Sequence, residues 1–79
     1  MTAKIYVTLK SAVLDPQGQA VQRSLSRMGF GEVKDARIGK YIEMKLDGTH
    51  AEARSRVEDM CKKLLANTVI EDYRFELVE

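Results

Sequence analysis

An α+β domain is what the sequence predicts, and three observations predict it. Residues 4–10 alternate apolar and polar side chains with the period of a half-buried strand. Two later stretches, 16–28 and 49–64, carry apolar residues at helical spacing, and alternation returns in 33–46 and 69–78. With 79 residues the chain forms one domain over 1–79, without repeats, linkers or low-complexity segments. A domain of this length buries only ~60% of the surface its unfolded chain exposes, so association with other chains would add needed stability.

The elements follow in order. In the first strand Ile5, Val7 and Leu9 face one way, while Lys4, Tyr6, Thr8 and Lys10 face the other. Asp15-Pro16 then supplies an N-cap acceptor and a proline at the first helical position, where its missing N–H costs nothing. Val21, Leu25 and Met28, flanked by Ala20, form the stripe of this first helix. Gly29 suits a left-handed cap, so the helix should end at Met28. Val33–Leu46 reads as a hairpin, with Ala36 and Ile38 on one arm and Ile42, Met44 and Leu46 on the other. A two-residue Gly39-Lys40 turn would set Ile38 opposite Tyr41. A three-residue loop instead pairs Ile38 with Ile42, keeps one apolar face and leaves Tyr41 outside; this is the predicted register.

Asp47-Gly48 turns the chain, and Thr49 with Glu52 makes a capping-box pattern at the start of the second helix. Its predicted stripe is Ala53, Val57, Met60, Cys61 and Leu64. Glu52/Arg56, Glu58/Lys62 and Asp59/Lys63 are i,i+4 pairs with the acid on the N-terminal side, which also suits the macrodipole. Asn67 is a C-terminal cap candidate, and Val69–Val78 forms the last strand with Tyr73, Phe75 and Leu77 on one face. The order β-α-β-β-α-β is the ferredoxin-like split βαβ pattern. Right-handed crossovers then place both helices on one face of a four-stranded antiparallel sheet and leave the other face open.

Composition and motifs exclude several functions. Thirteen basic against 12 acidic side chains give a formal charge of +1, without the electrostatic footprint of a duplex-binding or polybasic membrane protein. No apolar run approaches the ~18–20 residues of a membrane span, and the N-terminus reads as a strand, so a cytoplasmic location is expected. One cysteine and one histidine make neither an internal disulfide nor a Cys/His zinc cluster. His50 and Cys61 lie about three turns apart on one helix, out of reach of each other, and neither is assigned a catalytic role. Glu71 and Asp72 point to opposite faces of a strand and do not converge as an acid–base pair. Lys34, Arg37 and Lys40 gather basic charge at the hairpin, but no glycine-rich phosphate fingerprint accompanies them. Ile5-Tyr6-Val7-Thr8-Leu9 imitates the first-strand motif of an RNA-recognition domain. The companion strand, with Tyr41 as its one aromatic and Glu43 on the same side, lacks the stacking platform. Tyr6 and Tyr41 read instead as amphipathic anchors on an open sheet face that another copy of the chain covers.

Three stretches together resemble the PurS family, the small subunit of phosphoribosylformylglycinamidine synthase (formylglycinamide ribonucleotide amidotransferase). They are Lys4–Lys10 running on through Val13-Leu14-Asp15-Pro16-Gln17-Gly18; Val33-Lys34-Asp35-Ala36-Arg37-Ile38-Gly39-Lys40-Tyr41; and Cys61–Tyr73, including Lys62-Lys63-Leu64-Leu65-Ala66-Asn67-Thr68-Val69. The resemblance implies a non-catalytic assembly subunit in de novo purine biosynthesis. It would bring a glutaminase subunit (PurQ) and an ATP-dependent synthetase subunit (PurL) together and assist the transfer of ammonia between them. It implies that the complex uses ATP, Mg and glutamine while this chain binds no cofactor, and that the chain forms homodimers that pair further. The candidate contacts with partner subunits are Asp15, Gln17, Gly18, Arg37, Gly39 and Lys40, with Tyr6 and Tyr41 on the candidate homo-oligomer face. Asp15, Pro16, Gly39 and Asn67 have local capping or turn roles, whereas Arg37 and Lys40 have no local structural duty that the sequence reveals. The alternative is a dimeric regulatory module of the same topology that holds a small ligand between two copies.

Overall fold

A computed structural model describes all residues, Met1–Glu79. Its elements are β1 (Thr2–Leu9), α1 (Pro16–Arg27), β2 (Gly39–Lys45), α2 (His50–Met60) with a π-helical extension over Cys61–Leu65, and β3 (Glu71–Val78). The sheet has three strands in the order β2-β1-β3, with β1 antiparallel to both neighbours. β2 and β3 therefore run parallel to each other on either side of β1, joined through α2, which keeps one split βαβ unit of the predicted topology.

The sheet and α2 share one dry layer. Strand pleating sends Ala3, Ile5 and Val7 to one face of β1, where they meet Ala66 and the Val57 and Cys61 side chains of the second helix. Ile5, Val57 and Cys61 are fully buried. Ile42 and Met44 of β2 and Tyr73, Phe75 and Leu77 of β3 flank this cluster from the same face, as their alternation predicts. The opposite face is open and carries Lys4, Tyr6, Tyr41, Glu43, Arg74 and Glu76 by register.

Two predictions about the architecture are corrected. Residues 33–38 form no strand, so the sheet has three strands and not four, and there is no hairpin loop at Gly39–Tyr41. Ile42 pairs with Ile5 of β1, not with Ile38, and Gly39 is the first residue of β2, opposite Thr8. The physical reason is a competing partner: the 33–38 segment runs back along α1 and spends its hydrogen bonds there. Gln22 Nε2 donates to the Val33 carbonyl at 3.1 Å, and the Ile38 N–H donates to the Asp15 carboxylate at 2.7 Å. The second correction concerns α1, which does not lie on the sheet beside α2. With its return segment it extends from one end of the sheet as an arm, and the backbone spans 48 × 27 × 14 Å.

Local rules held where their partners were local. Asp15 caps α1, Pro16 opens it, and Gly29 at φ 101° closes it, with the Phe30 N–H bonded to the Leu25 carbonyl at 2.9 Å as in a Schellman ending. Thr49 caps α2 through the Glu52 N–H at 3.3 Å. The predicted stripe of the second helix fails at its last member. The Ala66 N–H bonds the Cys61 carbonyl at 2.9 Å, an i→i+5 step, and this wider turn throws Leu64 out to 82% exposure while Leu65 packs on the core. β3 begins at Glu71, not Val69, because Asn67 holds a turn with its side-chain oxygen on the Val69 N–H.

Candidate functional site

All six residues expected at partner contacts gather where the arm joins the sheet. Asp15 is buried at this junction, and each of its carboxylate oxygens has one backbone donor: Oδ1 takes the Gly18 N–H at 2.9 Å and Oδ2 the Ile38 N–H at 2.7 Å. Those donors, Ile38 first and then Gly18, hold the carboxyl below its ordinary value against the opposing effect of burial. One side chain thus caps α1 and ties down the segment that returns from it. Gly18 is the crossing point, because a Cβ there would drive into the Ala36 carbonyl. Gly39 is similarly close to the Val7 carbonyl. Its glycine is required by this close approach, not by the turn that the sequence predicts.

Arg37 has a structural duty that the sequence does not reveal. Its Nη2 donates to the carbonyls of Lys10 at 2.9 Å, Val13 at 3.0 Å and Leu9 at 3.3 Å, gathering the β1–α1 loop around one guanidinium. Lys40 reaches Glu71 Oε2 at 3.7 Å, a loose pair between an exposed ammonium and a largely covered carboxylate. The basic cluster expected at a hairpin is therefore dispersed: Arg37 serves backbone carbonyls and Lys40 faces a carboxylate. Gln17 and Lys40 border a shallow hollow floored by Val7, Leu9 and Ile38. Gln17 and Lys40 are exposed, and so is Arg37, whose Nη2 is the one guanidinium nitrogen engaged with the loop carbonyls. Gln22 was missed by the sequence reading, although its i,i+4 spacing from Gly18 places both on the side of α1 that faces the returning segment.

Tyr6 and Tyr41 do meet on the open sheet face. Their rings lie 5.2 Å apart at 45°, and the Arg74 guanidinium sits 4.0 Å over the Tyr6 ring. Burial and the Glu76 carboxylate raise the Tyr6 phenol above its ordinary value. Tyr41 remains 51% exposed. Apolar side chains are also exposed on the arm, Val21 on α1 and Met28 and Phe30 at its end.

His50 starts α2 in solvent, and Cys61 lies buried beyond its end, its thiol raised by burial and by Glu58. The most strongly shifted group is Tyr73, whose hydroxyl donates to Glu58 Oε1 at 2.6 Å and is pushed up to about 12 by that bond and by burial. This bond ties β3 to α2 in the body. No helix is long and apolar enough to cross a membrane.

Comparison with known proteins adds a full-length match. The family described as "PurS: Phosphoribosylformylglycinamidine (FGAM) synthase" matches residues 2–79. The PurS subunit of phosphoribosylformylglycinamidine synthase from Bacillus subtilis is 55% identical over 76 residues, covering 96% of this chain and 90% of that protein. A crystal structure of B. subtilis PurS superposes with a TM-score of 0.88 at 54% identity, over 99% of this chain and 98% of that one. A chain in the structure of PurLQS from Thermotoga maritima superposes with a TM-score of 0.76 at 27% identity, over 99% of both chains.

Proposed function

This chain belongs to the PurS family, and on that premise we propose that it is a subunit of phosphoribosylformylglycinamidine synthase in purine biosynthesis. It brings the glutaminase subunit PurQ and the ATP-dependent synthetase subunit PurL together and assists ammonia transfer between them. The observation that carries this reading is the superposition, over nearly the whole of both chains, on a chain of the T. maritima PurLQS structure. Ammonia in transit must be kept from water and protons, so a chain that closes a junction between subunits contributes without a nucleophile or base of its own. ATP, Mg and glutamine are used by the complex and bound by its other subunits. The cytoplasm, where these substrates are found, is the proposed location.

The chain acts as a homodimer that can pair further. Only 9 of 79 residues are buried, and two surfaces support a second copy as the cover: the apolar side of α1, and the outer edge of β2, whose backbone groups have no neighbouring strand. The Tyr6–Tyr41 face supports further pairing of dimers. Around the arm's base, Gln17 and Lys40 are the side chains free to touch PurL or PurQ, while Asp15, Gly18, Arg37 and Gly39 shape the surface that bears them.

The test is synthesis of formylglycinamidine ribonucleotide from glutamine and ATP by purified PurL and PurQ, with and without this chain. Dependence on the chain, with co-elution of all three, is expected. Full glutamine-dependent turnover without it would overturn the reading.

A further inference from the structure

We propose that the Asp15–Gly18–Arg37 cluster is a clasp that fixes the direction in which the α1 arm leaves the sheet, and so sets which side of α1 is presented for assembly. The arm has no apolar seat on its own sheet, since the α2 side of the sheet carries the core and Val21, Met28 and Phe30 remain exposed. Within one chain its direction is therefore set at its base. Three independent contacts converge there and join segments distant in sequence. Asp15 bonds the start of α1 to Ile38 at the entry to β2. Gly18 lets the returning backbone at Ala36 cross the first turn of α1 at a distance that a side chain would forbid. Arg37 draws the carbonyls of Leu9, Lys10 and Val13 onto one guanidinium, tying the return segment to the loop by which the chain leaves β1.

The two strands of chain that connect arm and sheet, 10–15 and 36–38, are thereby bonded to each other. Two linkers joined side by side resist bending and twisting in a way that neither does alone. These residues are positioning residues: they act through the orientation of α1, not by touching a partner. The consequence for assembly rests on the function proposed above, whereas the orientation itself does not.

The test reads distances within one chain. Spin labels are placed at exposed Arg27→Cys on the arm and Glu43→Cys on the sheet, with the buried Cys61 left in place and labelled chain diluted in a large excess of unlabelled chain. A second pair, Glu43→Cys with Asp59→Cys, reports on the body. A single narrow arm-to-sheet distance is expected in the otherwise unaltered chain. Arg37→Met and Gly18→Val should each broaden it at least twofold while the body pair keeps its distance, and Arg37→Lys, which keeps the charge but loses the planar fork, should fall between. Co-elution of these variants with PurL and PurQ should weaken in the same order. An unchanged narrow distance in Arg37→Met overturns the clasp, and that variant decides alone where Gly18→Val disturbs the body pair. Broadening without any loss of co-elution overturns the assembly role and leaves the orientation role standing. Failure of the unaltered chain to co-elute speaks against the proposed function, not against the clasp.

Discussion

In the body of the molecule Ile5, Val57 and Cys61 are fully buried against one another, whereas in the arm Val21, Met28 and Phe30 are each more than a third exposed and the fixed points are hydrogen bonds to Asp15 and Arg37. The body is held by removal of apolar surface from water, which is non-directional and tolerates small shifts. The arm is held at its base by directional bonds, which set an angle but supply little burial. A small domain that keeps apolar surface exposed and spends its polar contacts on orientation is built to complete its core with other chains.

Substitutions can break this contrast from either side. The largest effect should come from the body: Ile5→Ala leaves a cavity beneath the central strand and should cost about 2–5 kcal/mol, read as a lower urea midpoint. On the arm, Val21→Glu should leave the unfolding midpoint of the dilute chain nearly unchanged. The same variant should weaken self-association by about tenfold or more in sedimentation equilibrium. Equal damage to both readouts would erase the distinction between body and arm. Thr49→Ala, which removes only the cap of α2, should cost about 1 kcal/mol in the same urea titration.

Proton linkage sharpens the comparison, because the two regions lose stability at opposite ends of the pH scale. Tyr73 titrates ordinarily at 10.0 and is pushed up to about 12 in the body, so the folded chain keeps a proton that the unfolded chain gives up first. Its contribution is complete below about pH 10 and is lost as pH rises through about 12. Tyr73→Phe should remove that alkaline loss when the two unfolding curves are subtracted. Asp15 titrates ordinarily at 3.8 and is lowered in the fold, so its contribution is complete above that value and is lost as pH falls below it. Protection factors of the Ile38 and Gly18 amides, taken relative to the intrinsic exchange rate at each pH, should fall on acidification while that of Val57 is kept, the smallest and most local of these effects.

How much was legible in the sequence follows the same division. The period-2 face of β1, the Asp15-Pro16 start, the Gly29 ending, the Thr49 cap and the buried Cys61 were all readable, because each is specified by residues adjacent in sequence or by one apolar face. Residues 33–38 misled because alternation records only that a segment has two faces, not what covers them. Here the segment's polar partners lie on α1, and Gln22 and Asp15 outcompete a strand neighbour. Leu64 misled because periodicity assumes a constant turn, and the wider π-helical turn over Cys61–Leu65 rotates the side chains along it. Arg37 was legible as functional and illegible as structural, since nothing near it in the chain reveals that three carbonyls some 24 to 28 residues earlier await a donor. The six residues at the base of the arm were found by likeness to a family; that four of them shape the junction was visible only in three dimensions.

The backbone is only 14 Å deep along its shortest axis, and this bears on the ammonia transfer proposed for the assembly. The body is one sheet with one helix on it, and the space between them is filled by the single buried cluster of Ala3, Ile5, Val7, Val57, Cys61 and Ala66. An enclosed duct needs wall on every side, and a plate one layer deep has none left over. Any sheltered route in which this subunit takes part must therefore be a seam, half of its lining belonging to a neighbour, and it exists only while the neighbours are in place.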